Sequence, residues 1–464
     1  GIYIEGGQDL VVFAGDLHNQ EVFVFVQYKE PKFTGTKVTL MPGLNKVSIP
    51  QSGLVYILYH TTDATEPPVK INIATGNING YFDVKKHTKD DWKRLLRGAT
   101  FDMFDVVGKY AHLAYDTEKL RQFTPDGMAL IQAYDDLVYA EWDFMGLVKY
   151  NKLPKKNRMY FLVDYSDTYM YASSYMTGYQ LNTLDELCDV NKLKTTACWG
   201  PAHEAGHCNQ TRPGLKWQGL SEVTNNIHSQ YIQTLWGNPS RIQESNTYQQ
   251  AYTAIMAAGI PHNASEDHFF RLIPFWQLKL YMHDVLGNKD FYKDVYEHMR
   301  VNPGPSTSGV TEGVLQLDFI RITCEKANLD LTEFFEAWGF LRPIDQIVGD
   351  YSSNRFTITQ SQINDLKNEI AAKNYPKPAH KLQYISDNNV SSFKNAQAVI
   401  KGTVKYANST FRMEGWANVA AFELYKDSKL VGVTIGTSFS ISGNRTDYEI
   451  YAVGFDGIRY KAAI

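Results

Sequence analysis

Two histidines four residues apart, with a glutamate directly after the first, are the residues best suited to chemistry. His203, Glu204 and His207 form an H-E-x-x-H motif. Side chains four apart lie on one helix face, so both imidazoles can reach one metal ion. Glu204 then faces the open side of that metal and can accept a proton from water. The spacing predicts metal-assisted hydrolysis; the alternative is a buried histidine pair on an ordinary amphipathic helix.

Glu222 is the predicted third metal ligand. Apolar residues recur every three to four positions from Leu220 to Leu235, which predicts a second helix ending at a Gly-Asn-Pro turn. Glu222 lies in its first turn. Asn226, one turn later on the same face, could hold a ligating histidine by its other ring nitrogen. Two histidines, a glutamate and a water are the ligands of a catalytic zinc site, so Zn²⁺ is the predicted cofactor.

The motif itself does not supply a donor for the oxyanion of the reaction. Tyr281 and His283 are the main candidates, and His262, His268 and His228 remain open, although the sequence favours a structural role for each of them. His228 is the weakest, since its position two residues after Asn226 points it away from the zinc face.

Composition excludes several classes of protein. The chain has 464 residues and a formal net charge of -4, which gives no reason to expect nucleic acid or an anionic membrane as a partner. No apolar run is long enough to cross a membrane. The first residue is Gly, from which we expect either a processed protein or a chain trimmed at its N-terminus, with its signal segment absent here. We also expect a monomer. Cys188 and Cys198 could form a disulfide, whereas Cys208 is expected to pack as a small apolar residue.

The pattern along the chain predicts a multidomain α+β protein. Residues 1–68 are rich in short β-branched and aromatic strands, which predicts an N-terminal β-sandwich. Residues 69–373 combine strands with a large helical lobe, and the motif helix is expected to start with Gly200 as N-cap and Pro201 as first residue. Residues 374–464 return to regularly spaced strands, which predicts an immunoglobulin-like β-sandwich.

An aromatic-rich extended stretch, Tyr169 to Leu181, precedes the motif. A strand beside a zinc cleft can pair with the backbone of a substrate. An ordinary strand in a sheet interior fits the same pattern equally well.

The segments G-P-A-H-E-A-G-H-C-N-Q and G-L-S-E-V-T-N-N-I resemble the enhancin-like metallopeptidases of the gluzincin class. Y-M-Y-A-S-S-Y before them and P-F-W-Q-L after them extend the resemblance to about residues 70 to 345. It implies a gluzincin-type catalytic domain with a mixed sheet, zinc held by His203, His207 and Glu222, and Glu204 as general base. It also implies a bacterial, secreted or cell-surface enzyme that cleaves mucin-type proteins beside O-glycosylated Ser or Thr.

Substrate contacts are the least constrained part of this interpretation. Trp199, Tyr171, Tyr175 and Arg212 are possible contacts, and core packing is the alternative for the aromatic residues. The alternative functions are an aminopeptidase, a general peptidase without a glycan requirement, and a carbohydrate-binding protein with a vestigial peptidase core. The chain lacks the G-A/G-M-E-N segment typical of aminopeptidases upstream of the motif, and the intact Glu204 argues against a pure binding protein.

Overall fold

The structure is a computed structural model that describes residues 1–30, 34–63, 65–173 and 176–463. It divides into two compact units, one formed by Gly1–Ala140 and Pro154–Cys208 and the other by Glu141–Leu153 and Asn209–Ile464. Several sheets and helices are present, so the predicted mixed α+β class is confirmed. The predicted domain boundaries at residues 68 and 373 stay predictions.

Eight strands open the first unit. They are β1 (Ile2–Ile4), β2 (Asp9–Ala14), β3 (Val22–Tyr28), β4 (Gly35–Thr39), β5 (Gly43–Ser48), β6 (Gly53–Tyr59), β7 (Ile71–Ile73) and β8 (Asn77–Ile78). They pair antiparallel in two sheets, of order β4-β3-β6-β1-β8 and β5-β2-β7. Alternate residues point inward, and Val12, Val24 and Val47 from the two sheets share one buried core.

The first unit also contains a six-stranded sheet. Its strands are β9 (Phe82–Asp83), β10 (Met103–Val107), β11 (Ala111–Asp116), β12 (Met159–Asp164), β13 (Met170–Ala172) and β14 (Met176–Gln180). Their order is β13-β14-β12-β11-β10-β9, with both parallel and antiparallel neighbours, as expected of a mixed sheet. The extended stretch predicted before the motif is the antiparallel pair β13 and β14, and β13 is an edge strand.

Six helices accompany these sheets. They are α1 (Lys89–Gly98), α2 (Thr117–Phe123), α3 (Gly127–Phe144), α4 (Leu184–Leu187), α5 (Val190–Lys194) and α6 (Trp199–Asn209). The motif helix α6 starts at Trp199, so the predicted start is wrong: Gly200 and Pro201 lie inside its first turn. Proline is tolerated there because the first N–H groups of a helix have no partner within it.

The second unit is mainly helical up to residue 372. Its helices are α7 (Ser221–Leu235), α8 (Arg241–Glu244), α9 (Thr247–Ala251), α10 (His268–Lys279), α11 (Phe291–Val301), α12 (Gly313–Ala327), α13 (Thr332–Ala337), α14 (Gln360–Ala372) and α15 (Val390–Asn395). The helices α9 and α10 continue as π-helical turns over Tyr252–Ala257 and Leu280–Val285. Within the described residues, no helix combines the length and apolarity needed to cross a bilayer.

Nine strands complete the second unit. They are β15 (Ile344–Val348), β16 (Asn354–Ile358), β17 (Thr403–Ala407), β18 (Thr410–Glu414), β19 (Val419–Lys426), β20 (Lys429–Thr434), β21 (Ser438–Ser440), β22 (Tyr448–Gly454) and β23 (Arg459–Lys461). The hairpin β15–β16 was not predicted. The last seven strands form sheets of order β17-β18-β21 and β20-β19-β22-β23, which share one core. Before β17, Ile400 forms an isolated antiparallel bridge with Ala417.

The four cysteines are free thiols. Cys188 and Cys198 are both buried, and the hypothesis of a disulfide between them is therefore wrong. The Cys198 thiol donates a hydrogen bond to the Thr195 carbonyl over 3.3 Å. Burial is also the main reason why the pKa of Cys188 is raised.

Candidate active site

The helix α6 brings the three residues of the motif together. One ligand atom each of His203, Glu204 and His207 lies within 4.8 Å of the other two. The two imidazole rings are 4.8 Å apart between centroids and nearly perpendicular. The Glu204 carboxylate is buried and both histidines are half-buried. Of the side chains that the structure describes, these form the one group of three suited to hold a metal ion.

The sheet edge packs along this helix. A Cβ atom added at Gly200 would lie 2.6 Å from Met170 Sδ, so the start of α6 rests closely on β13. At the other end, the Cys208 thiol donates to the Ser173 carbonyl over 3.1 Å. Cys208 is half-buried and acts as a hydrogen-bond donor, which corrects the expectation that it only fills space. These contacts fix the orientation of the motif helix on the sheet.

Tyr179 of β14 lies near the motif. Its ring is fully buried, and the pKa of its hydroxyl is raised first by that burial and then by the charge of Glu204. Sequence reasoning did not single out this residue, because an alternating strand does not show which helix will cover it.

The predicted aromatic contacts have different surroundings. The ring of Tyr171 covers Gly178 of the neighbouring strand, where a Cβ atom would lie 2.1 Å from Tyr171 Cζ. Burial, followed by the charge of Asp164, raises the pKa of Tyr171. Trp199 is half-buried at the start of α6. Tyr175 lies outside the described residues, and the role of all three in substrate binding stays a prediction.

In the second unit, Glu222 stands in the first turn of α7 with a non-helical backbone at φ -96° and ψ 16°. Its Oε1 accepts a hydrogen bond from the hydroxyl of Tyr351 over 2.5 Å. The Asn226 side-chain amide donates to the Glu222 carbonyl over 2.9 Å. Asn226 is therefore bonded to the predicted ligand residue itself, and its predicted bond to a ligating histidine stays a prediction.

The loop of the β15–β16 hairpin holds Tyr351 in place. The Asp350 carboxylate accepts from the backbone N–H groups of Gly219, Ser221 and Tyr351. The Gln218 amide donates to the carbonyl of Ser352 over 2.6 Å. The segment before α7 and the hairpin loop are thus tied together. A strand-like run between Pro343 and the Gly-Asp pair at 349 was the sequence signal that could have revealed the hairpin.

Tyr281 and His283 belong to the core of the second unit. The Tyr281 hydroxyl is hydrogen-bonded to His380 Nδ1 over 3.1 Å, and burial raises its pKa to about 12. The His283 ring packs against Phe144 and Tyr292, and burial lowers its pKa to about 3. These side chains already have structural surroundings, so we assign neither to the oxyanion.

The remaining histidines also have structural partners. His228 Nε2 is 3.1 Å from the Tyr296 hydroxyl, and His262 Nε2 is 3.0 Å from the Arg271 carbonyl. Burial lowers the pKa of His228 and of His262 to about 3, so both rings are neutral. His268 Nδ1 is 2.8 Å from the guanidinium of Arg271. None of these bonds involves Glu222.

A cavity of about 430 Å³ lies within the second unit, beside the start of α7. Arg212 is exposed at its rim, and Lys216 is half-buried with Nζ 5.6 Å from the centroid of the Tyr351 ring. The lining residues are Arg212, Pro213, Lys216, Trp217, Gln218, Ser221, Thr307, Glu312, Leu315, Asp350, Tyr351 and Ser352. Because Tyr351 bonds Glu222, this cavity adjoins the predicted third ligand.

Known proteins resemble the chain in sequence and in fold. The family model of Peptidase M60, enhancin and enhancin-like, matches residues 79–339. Among curated proteins, the TRPM8 channel-associated factor homolog of Xenopus laevis is 25% identical over 262 residues. That match covers 56% of this chain and 28% of the relative, so the chain spans less than a third of the relative's length.

Two solved structures illustrate the structural likeness. A metallopeptidase in complex with Tn antigen superposes with a TM-score of 0.83 and 26% identity, over 99% of this chain and 93% of that one. The M60 catalytic domain of Clostridium perfringens ZmpC, in complex with the sialyl T antigen, has a TM-score of 0.75 and 19% identity over 100% of this chain and 94% of that one. At that identity the second likeness concerns the fold alone.

Proposed function

The chain belongs to the peptidase M60 family, enhancin and enhancin-like, and on this premise we propose that it is a zinc-dependent endopeptidase acting on O-glycosylated, mucin-type proteins. The family resemblance drawn from the motif is thereby confirmed. The identity of the metal, the internal position of the cleaved bond and the glycosylated substrate are the parts that we propose. The main observation in its support is the clustering of the ligand atoms of His203, Glu204 and His207 within 4.8 Å.

We propose that His203, His207 and Glu222 hold the metal. Two imidazole nitrogens and a carboxylate oxygen are the donor set typical of catalytic zinc. The close approach of the two histidines on one turn of α6 fits this role, since their ligand atoms can reach one ion without a change in the helix. When bound there, Zn²⁺ would polarise the scissile carbonyl and acidify the attacking water.

Glu204 has the proton-transfer role in this proposal. Its carboxylate accepts a proton from the attacking water while the water oxygen bonds to the carbonyl carbon. The same proton then passes to the leaving nitrogen as the C–N bond breaks, giving a carboxylic acid and an amine. The burial of this carboxylate favours the role, because charges act more strongly away from bulk water.

We assign the oxyanion donor to Tyr351. Its hydroxyl donates to Glu222 Oε1, which sets it beside the proposed third ligand. With that carboxylate bound to a metal, the hydroxyl can donate instead to the substrate carbonyl oxygen as negative charge develops there. Tyr351 is 76% exposed, so a polypeptide substrate can reach it.

Replacing Tyr351 by Phe should lower kcat by about 100-fold or more, as expected for loss of one oxyanion donor. Affinity for a phosphinic glycopeptide, which mimics the tetrahedral intermediate, should fall by a similar factor, whereas binding of uncleaved substrate should change little. Tyr59→Phe, on β6 of the first unit, is the matched control. Equal inhibitor affinity in native protein and Tyr351→Phe would rule out this assignment.

The glycosylated substrate is inferred from the family and from one neighbour. The metallopeptidase at 26% identity was solved with Tn antigen, an O-linked glycan. Trp199, Tyr171, Tyr175 and Arg212 are the proposed contacts to such a substrate. A secreted or cell-surface bacterial enzyme, acting as a monomer, fits a substrate of this kind. An aminopeptidase, a general peptidase and a carbohydrate-binding protein are the alternatives.

One pair of peptides tests the proposed function. A mucin-type peptide with a single O-glycosylated Thr and the same peptide without sugar are incubated with the protein, with and without chelator. We expect internal cleavage of the glycopeptide only, lost with chelator and restored by zinc. Cleavage of the bare peptide, with or without cleavage of the glycopeptide, would indicate a general peptidase. Stepwise release from the N-terminus would indicate an aminopeptidase, and binding without cleavage a carbohydrate-binding protein.

A further inference from the structure

We propose that the cavity beside α7 binds a carboxylate of the substrate through Arg212 and Lys216, an inference that rests on the proposed function. The two cations line the same cavity. Tyr351, which donates a hydrogen bond to Glu222, lines the cavity too. So does Ser221, which directly precedes Glu222 in the sequence. A substrate group that enters the cavity is therefore close to the proposed third ligand, Glu222.

The acidic residues of the cavity are already engaged by backbone groups. The Asp350 carboxylate accepts three backbone N–H groups, from Gly219, Ser221 and Tyr351. The Glu312 carboxylate accepts the N–H of Gln218. These bonds hold both carboxylates toward the backbone, and each N–H fills one of the acceptor sites of its carboxylate.

The two cationic side chains of the cavity, Arg212 and Lys216, are available to an anion. Within the described ranges, neither Arg212 nor Lys216 has an ion-pair partner. Burial, followed by repulsion from Arg212, lowers the pKa of Lys216, whereas the charges of Asp350 and Glu222 act in the opposite sense. Two like charges near each other in a partly buried cavity favour an anion, and a guanidinium with an ammonium is well suited to a carboxylate.

The carboxylate can have two sources. An acidic side chain near the cleaved bond would bring it on the peptide, and an acidic sugar would bring it on the glycan. In either case the recognition is the same charge-assisted hydrogen bonding, which we expect to favour the acid over its neutral counterpart by roughly 10- to 100-fold in affinity.

Binding to the zinc-loaded Glu204→Gln variant, measured by calorimetry, tests the proposal without turnover. One set of glycopeptides carries Glu or Gln at each of the three positions on either side of the glycosylated Thr. A second set carries the neutral peptide with a sialylated or an uncapped glycan. Tighter binding of the Glu peptides alone identifies an acidic side chain as the source, and tighter binding of the sialylated peptide alone identifies the sugar; both support the site.

The variants Arg212→Gln and Arg212→Gln/Lys216→Met are made in the same Glu204→Gln background. Both should reduce the ratio of affinities for the acid and its neutral counterpart, and the double variant should bring this ratio to about one. Lys394→Met removes one exposed positive charge on α15 and is the matched control, which should keep the preference. The exposed Arg212 makes the single variant safe for folding. The proposal is overturned if no acid binds better than its neutral partner, or if the preference survives in the double variant.

Failure of this inference and failure of the proposed function give different results. If native protein cleaves the neutral glycopeptide but shows no preference for any acid, the endopeptidase proposal stands and the carboxylate site is wrong. If no peptide is cleaved and the acid preference still depends on Arg212 and Lys216, the site stands and the proposed reaction is wrong.

Discussion

Replacing Glu204 by Gln should lower kcat/KM on a glycosylated peptide by about 10³- to 10⁴-fold, the upper range for loss of a positioned general base. The amide has nearly the shape of the carboxylate but cannot accept the proton of the attacking water. The effect should fall on kcat more than on KM, because substrate binding does not need this proton transfer. Steady-state kinetics on the purified variant, loaded with one equivalent of zinc, measure the change.

Zinc content and thermal unfolding are the controls for this result. Glu204 is a proton acceptor and not a ligand in the proposed mechanism, so the variant should bind as much zinc as native protein. Glu186→Gln, an exposed glutamate of α4 in the same unit, should retain native kinetics. A Glu204→Gln variant that turns over within tenfold of the native rate would refute the assigned role.

The variants His203→Ala, His207→Ala and Glu222→Gln should each bind less zinc than native protein. The zinc content should fall from about one ion per chain to substoichiometric levels. Each change removes one of three proposed protein ligands, and activity at micromolar zinc should be lost with the metal. Zinc per chain after dialysis is measured by atomic spectroscopy. Native protein should also unfold at a higher temperature with zinc than after chelation, because zinc binds the folded state.

Glu222→Gln is the most informative of these variants. The histidines share one turn of helix, so their joint role follows from the motif alone, whereas Glu222 belongs to a separate helix. His60→Ala and Glu244→Gln, both exposed, are matched controls that should keep full zinc content. Full zinc content in Glu222→Gln would show that another residue completes the site, and would also remove the basis for placing Tyr351 beside the metal.

Features that depend on local spacing could be predicted from the sequence. His203 and His207 are four residues apart, so a helix places them on the same face. The structure confirms that their ligand atoms are close. The same periodicity placed Glu222 in the first turn of α7. Alternating β-branched and aromatic residues identified strands such as β3 and β6, because a strand that is buried on one face shows this alternation in its sequence.

The side chains that reach Glu222 could not be predicted from the sequence, because they depend on how distant segments fold together. Tyr351 is 129 positions away along the chain, and the hydrogen bond between them depends on a hairpin loop held by Asp350. Tyr281 and His283 looked equally suitable by residue type, yet the packing of α10 and its π-helical extension buries both. Periodicity reports which face of an element is apolar, whereas contacts between distant segments depend on how those faces pack, and a single sequence does not contain that information in readable form.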